Sequence, residues 1–134
     1  MKKKAGFTLS ELLIVVAIIG VLVAISIPIF TQQLLKAQVA TDWANVRSYY
    51  AQLQYDFMES GTINNDNLRE WDGTGTNGLT SFKLGGQTVK LKAGWLWVAE
   101  EDKNNEYGYN LQYICKKDIK YNLILPEDPP SGTK

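Results

Sequence analysis

The pattern of apolar and polar positions changes character twice along this 134-residue chain. Residues 12–30 form a run of 19 in which only Gly20, Ser26 and Pro28 interrupt the apolar side chains. No charge occurs from Leu12 to Leu35. At about 1.5 Å of rise per residue, a helix over that run spans roughly 28 Å, close to the hydrocarbon thickness of a bilayer. The length predicts one membrane-crossing helix. From Leu35 the apolar positions become periodic: Val39, Trp43, Val46, Tyr50, Leu53 and Phe57 follow at intervals of 3 or 4. That is the stripe of an amphipathic helix packing on a core. With Gly61 as C-cap, the two patterns predict one continuous helix from about residue 8 to 59, roughly 78 Å long.

Residues 61–81 are rich in Asn, Gly, Thr and Asp and read as a connecting loop, with a short helical turn over 67–71. The period then changes to that of strands. Segments 82–84 and 88–91 flank Gly85, Gly86 and Gln87, a hairpin signal. Segments 95–99, 107–115 and 119–125 tend to alternate apolar and polar residues, divided by turns at 102–105 and 116–118. The expected architecture is α+β, the helix packed on a three- to four-stranded antiparallel sheet over 82–125. Trp95, Trp97, Tyr107, Tyr109, Tyr113 and Tyr121 recur at strand spacing. Cross-strand packing explains such a row, and a carbohydrate-binding surface is the competing reading. Residues 126–134 read as an exposed tail.

Charge and composition narrow the chemistry. The chain carries 14 basic and 14 acidic side chains. Three of the lysines are Lys2, Lys3 and Lys4, and without them 11 basic groups face 14 acidic ones, a net charge of −3. No clustered basic excess suggests nucleic acid as a partner. There is no His, which excludes Ser–His catalysis and a His-ligated zinc. Cys115 is the one Cys, so no intramolecular disulfide forms. Glu100, Glu101, Asp102, Asn104, Asn105 and Glu106 gather oxygen atoms on one turn. Their spacing fits no EF-hand loop, and a solvated polar turn is preferred to a calcium site. No catalytic group, metal site or cofactor is expected.

The N-terminus admits several readings. Lys2–Lys4 followed by an apolar run suits a secretory signal cut after the small-x-small pattern of Ala24 and Ser26, and it suits a signal anchor equally. The positive-inside rule keeps the lysines cytoplasmic and places the C-terminal part outside. Glu11 fits neither reading, because a carboxylate at the edge of an apolar helix is costly there. Thr8 and Glu11 also fit a capping box, Thr8 as N-cap and Glu11 three residues on.

Taken whole, Gly6-Phe7-Thr8-Leu9-Ser10-Glu11 with the apolar run after it closely resembles the prepilin signal of the type IV pilin family. The resemblance covers about 30 of the 134 residues. It implies a leader of residues 1–6, cut between Gly6 and Phe7 by a prepilin peptidase that also methylates the new N-terminus of Phe7. Residues 7–30 would be the transmembrane and assembly helix, and 31–134 the head, with its amphipathic helix over 31–60. Phe7 and Glu11 would direct assembly, the acid of one subunit meeting the ammonium of the next. Gly20 and Pro28 would let the helix deform. The implied product is a homo-oligomeric helical filament. Its precursor sits in the cytoplasmic membrane among lipid and pilus machinery, and the assembled pilus is extracellular. A pseudopilin of a secretion or DNA-uptake machine, or a membrane-anchored binding module, is the alternative.

Overall fold

In the computed structural model one helix, α1, runs Leu9–Ser60 without interruption through Gly20 and Pro28. The structure describes residues 5–62, 64–68, 78–100 and 108–127. Lys2–Lys4, Tyr107, the turn at 101–106 and the tail beyond residue 127 lie outside these residues. The chain divides into two units whose boundary falls within α1, between Lys36 and Ala37.

In the first unit the apolar side chains have no protein around them. Leu12, Ile18, Leu22 and Ile27 are each between 56% and 60% exposed, and Phe30 is 74% exposed. This stretch is long and apolar enough to cross a membrane. An apolar surface of that extent is unfavourable in water and suits lipid or other helices. A helix can occupy lipid because every interior backbone group bonds within it.

In the second unit α1 buries Val39, Asp42, Val46, Tyr49 and Leu53. Val39, Val46 and Leu53 belong to the expected stripe, whereas Leu35, Trp43, Tyr50 and Phe57 are half-buried along its edges. The line of deepest burial is therefore rotated onto Asp42 and Tyr49, one of them charged. α1 ends at Gly61, which takes a φ of 68° and donates its N–H to the Phe57 carbonyl at 2.7 Å. That is the left-handed cap that glycine tolerates best. A short 3-10 helix follows at Asn65–Asn67; of the turn expected over 67–71, residues 69–71 lie outside the described residues.

Two strands, β1 (Ser81–Leu84) and β2 (Gln87–Lys90), form an antiparallel hairpin closed by Gly85 and Gly86 at φ values of 56° and 81°. Positive φ at both positions matches the twist of the strands, which is why two glycines close it. The hairpin is its own two-stranded sheet. It is seated on the helix by Phe82, whose ring stacks on Tyr49 at a centroid distance of 4.4 Å. Gly85 N–H also donates to Gln52 Oε1 at 3.2 Å.

The main sheet is antiparallel, in the order β3 (Gly94–Glu100), β4 (Tyr109–Cys115) and β5 (Leu123–Leu125). Leu96 lies opposite Tyr113 and Val98 opposite Leu111, while Leu125 and Leu123 extend the same rows. All six are buried and form the face that meets α1. Leu79 exchanges backbone hydrogen bonds with Leu96 at 2.8 and 2.9 Å, a lone bridge on the free edge of β3. On the opposite face Trp95 and Trp97 meet edge to face, 5.8 Å between centroids. Because Trp97, Tyr109 and Tyr113 are buried, these aromatics serve packing rather than a sugar-binding surface.

The expected strand over 119–125 is corrected. Its first half is a 3-10 helix, Ile119–Tyr121, and only Leu123–Leu125 pairs with β4. Asp118 caps it by accepting the Lys120 N–H at 3.1 Å. Such a local bond offers the backbone an alternative to the ladder.

Gly94 has a packing reason that the hairpin glycines lack. A Cβ there would lie 2.3 Å from the Ile114 carbonyl oxygen and 2.6 Å from Tyr113 Cζ. Gly94→Ala is expected to destabilise the head by about 1–3 kcal/mol, the usual cost of overpacking. Thermal unfolding of the detergent-solubilised chain, followed by near-ultraviolet circular dichroism, checks it.

Candidate functional site

Gly6 and Phe7 precede the helix and are exposed, Phe7 at 91%. Thr8 begins α1 as its N-cap. Thr8 N–H donates to Glu11 Oε2 at 2.9 Å, and Glu11 N–H donates back to Thr8 Oγ1 at 3.3 Å. The reciprocal capping box is formed, satisfying two backbone donors at the helix start. It occupies only part of the acid: a carboxylate has about four acceptor positions, and this bond uses one of them.

Further along, Gly20 stands in open space. Pro28 supplies no N–H to the carbonyl four residues back, that of Ala24. Hydroxyls reinforce the backbone on either side. Ser26 Oγ donates to the Leu22 carbonyl at 2.7 Å and Thr31 Oγ1 to the Pro28 carbonyl at 3.0 Å. In this single chain the helix therefore passes both residues intact. Glu11 and the apolar run after it are thus held on one continuous element, with Gly6 and Phe7 just ahead of it.

The second unit contains a site that pattern reading overlooked. Asp42 is fully buried. Its Oδ1 accepts the Lys92 N–H at 2.8 Å, and its Oδ2 accepts the N–H groups of Lys92 at 3.0 Å and Ala93 at 2.8 Å. The Tyr113 hydroxyl donates to Oδ2 as well, at 2.8 Å. A buried charge is tolerable only when its acceptor positions are filled, and here donors from the β2–β3 turn and from β4 fill them. Tyr113 is affected in turn. Burial, with the hydrogen bond to Asp42 and its negative charge, pushes the phenol well above the ordinary tyrosine range.

Three further bonds tie this unit together, two of them from α1. Trp43 Nε1–H donates to the Tyr121 carbonyl at 3.0 Å, and Asn64 N–H to the Tyr109 hydroxyl at 2.8 Å. Arg47 pairs with Glu127 at the surface. Neither Asp42 nor Tyr113 is open to a substrate, so their arrangement is a fastening, not a reacting pair. A signal for it exists in the sequence: an acid at position 42 falls in step with Val39, Val46 and Leu53. Of the acidic turn at 100–106, only Glu100 is among the described residues, as the last position of β3.

Comparisons with known proteins concern both ends of the chain. A family profile described as the prokaryotic N-terminal methylation motif matches residues 1–27. The chain is similar to the fimbrial protein of Moraxella nonliquefaciens, 50% identical over 140 aligned residues that cover 98% of this chain and 83% of that relative. It is similar to the type IV major fimbrial protein FimA of Dichelobacter nodosus, 33% identical over 107 residues, 75% of this chain and 67% of the relative. Similarity to the fimbrial protein EcpB of Eikenella corrodens is confined to 39 residues at 54% identity, 29% of this chain and 24% of that relative. No solved structure matches the chain at a significant level.

Asp42→Ala would leave two amides and a hydroxyl buried without an acceptor, at about 1–3 kcal/mol for each unmet group. A loss of more than about 3 kcal/mol is expected on that ground, with a smaller loss for Tyr113→Phe, and denaturant melts of both variants check the order. The pH dependence follows in sign. The native phenol holds its proton while the unfolded one releases it above about pH 10, so stability falls as pH rises beyond that point. Tyr113→Phe should remove up to about 1.4 kcal/mol per pH unit from the alkaline slope, read from melts on either side of pH 10.

Proposed function

The chain belongs to the type IV pilin family, and from that premise we propose that it is the structural subunit of a type IV pilus, built through α1. The observation that carries the reading is Glu11 at the fifth position of the chain that begins at Phe7, within a methylation motif and ahead of an exposed apolar helix. The similarity of nearly the whole chain to a fimbrial protein supports it. The role is one of building and contact rather than catalysis.

Processing removes residues 1–6 and frees an ammonium at Phe7, which is then methylated. A prepilin peptidase is the implied enzyme. Before assembly the apolar half of α1 lies in the cytoplasmic membrane, the head outside; the pilus machinery then transfers the helix from lipid to the filament core. Glu11 has acceptor positions beyond the one given to Thr8, so its capping bond and a bond from a neighbour's Phe7 ammonium are compatible. In apolar surroundings that ion pair sets register, because either charge left alone is costly. Gly20 and Pro28 weaken the ladder locally, and the segment between them is where the helix would unwind in the fibre.

Mass spectrometry of the mature protein is expected to find a methylated Phe7 as first residue. A chain starting at Ile27, the product of ordinary signal cleavage, would sink the reading. Glu11→Ala should leave a processed, membrane-inserted subunit while cutting fibre yield at least tenfold in electron micrographs, about the effect of 1.4 kcal/mol lost per subunit contact. Normal fibre yield from that variant would remove Glu11 from assembly.

A further inference from the structure

Two turns of the second unit meet at one end of it. Lys116 donates its N–H to the Ala93 carbonyl at 2.9 Å, and Gly94 faces Cys115. That register sets Lys92 alongside Lys116 and Lys117, with Lys90 just before and Lys120 just after. All five lysines are exposed. Among the described residues the acidic groups near them are few. Asp118 is paired with Lys120 Nζ at 3.0 Å, Asp42 is buried and engaged, and Glu127 is paired with Arg47. Asp56 and Glu59 lie at the other end, beside Tyr109 at the start of β4. Within the lysine cluster stands Ile119, 81% exposed, the most exposed large apolar side chain among the described residues of this unit.

We propose that this end of the head, Ile119 framed by Lys92, Lys116, Lys117 and Lys120, docks on an anionic phospholipid bilayer. Lysines draw such a surface to the head, each strengthening the contact about fivefold, and an apolar side chain between them enters the boundary of the acyl region. The long methylene stems of the lysines let their charges stay at phosphate level meanwhile. Charge complementarity supports a bilayer as the occupant, because a surface of one sign suits a cluster of exposed lysines. A second copy of the chain is the competing occupant, its acidic end meeting the lysines. Ile119 decides against it here, since charge pairing between copies gives no use for an isoleucine at the centre. The inference rests on the chain being a membrane-anchored subunit, and docking would hold the head down until assembly lifts it.

The test uses the full chain in vesicles of phosphatidylcholine, with or without phosphatidylglycerol. A polarity-sensitive fluorophore is attached to Ile119→Cys in a Cys115→Ala background whose circular dichroism matches the unmodified chain. In anionic vesicles the emission should shift to the blue and be quenched by brominated lipid. High salt, neutral vesicles, or Lys116→Glu with Lys117→Glu should each abolish that quenching. Equal quenching in neutral and anionic vesicles overturns the proposal. So does a label that ignores lipid and becomes shielded only when subunits assemble, which assigns the surface to a second copy. Alkaline extraction separates the two levels. A chain washed from the vesicles overturns the anchored-subunit reading itself, and docking with it; a chain retained without quenching overturns docking alone.

Discussion

The second unit is organised around one buried carboxylate. Asp42 receives the amides of Lys92 and Ala93 and the hydroxyl of Tyr113, and each of these fixes something else. The two amides hold the turn between β2 and β3, which sets where β3 begins. Gly94, diagonal to Tyr113 across the ladder, leaves room for its ring, since a Cβ there would lie 2.6 Å from Tyr113 Cζ. One carboxylate therefore places a hairpin, a sheet register and a helix together. An apolar residue at position 42 could match its burial but would leave three donors without acceptors, so the polar choice is self-consistent only as a complete set.

Two acids on one helix are used in opposite ways. Asp42 is enclosed and its acceptor positions are filled by its own chain. The Glu11 carboxylate is exposed and accepts one bond, from the Thr8 N–H, leaving further acceptor positions. The difference follows from their surroundings. The second unit closes the bonds of Asp42 within itself. Under the proposed assembly role the first unit needs one polar group left open, because aliphatic side chains pack in many registers and a lone charge does not. The capping box and the assembly role, which compete as explanations of Glu11 on sequence grounds, are compatible once the geometry is known.

Much of this was legible beforehand, for physical reasons that also explain what was not. The run at 12–30 and the change to a stripe at Leu35 reflect the solvent that α1 meets, and composition reports solvent directly. Gly85 and Gly86 announced the hairpin because few other residues take positive φ twice in succession, although the expected turn also included Gln87, which instead opens β2. Asp42 was passed over since periodicity counts apolar residues, and a satisfied acid occupies a core position without signalling it. Residues 119–121 read as strand because Ile and Tyr suit one, while the deciding factor was the side chain of Asp118 bonding to the Lys120 amide. The basic end around Ile119 was invisible for another reason. Lys92 and Lys117 are 25 positions apart, and only the pairing of β3 with β4 makes them neighbours.

The clamp also bears on how a head with one buried cysteine, Cys115, holds together. A disulfide restrains the unfolded chain by closing a loop. The bonds from Asp42 close loops of similar reach, 50 residues to Lys92 and 71 to Tyr113, but they exist only in the native state. Their contribution depends on geometry rather than on covalent memory, so the closure entropy must be met afresh at every folding event. The hydrophobic rows of β3, β4 and β5 supply that, and the clamp selects which helix face they meet. In such a head, stability and register are separable: apolar burial provides the first, and Asp42 specifies the second.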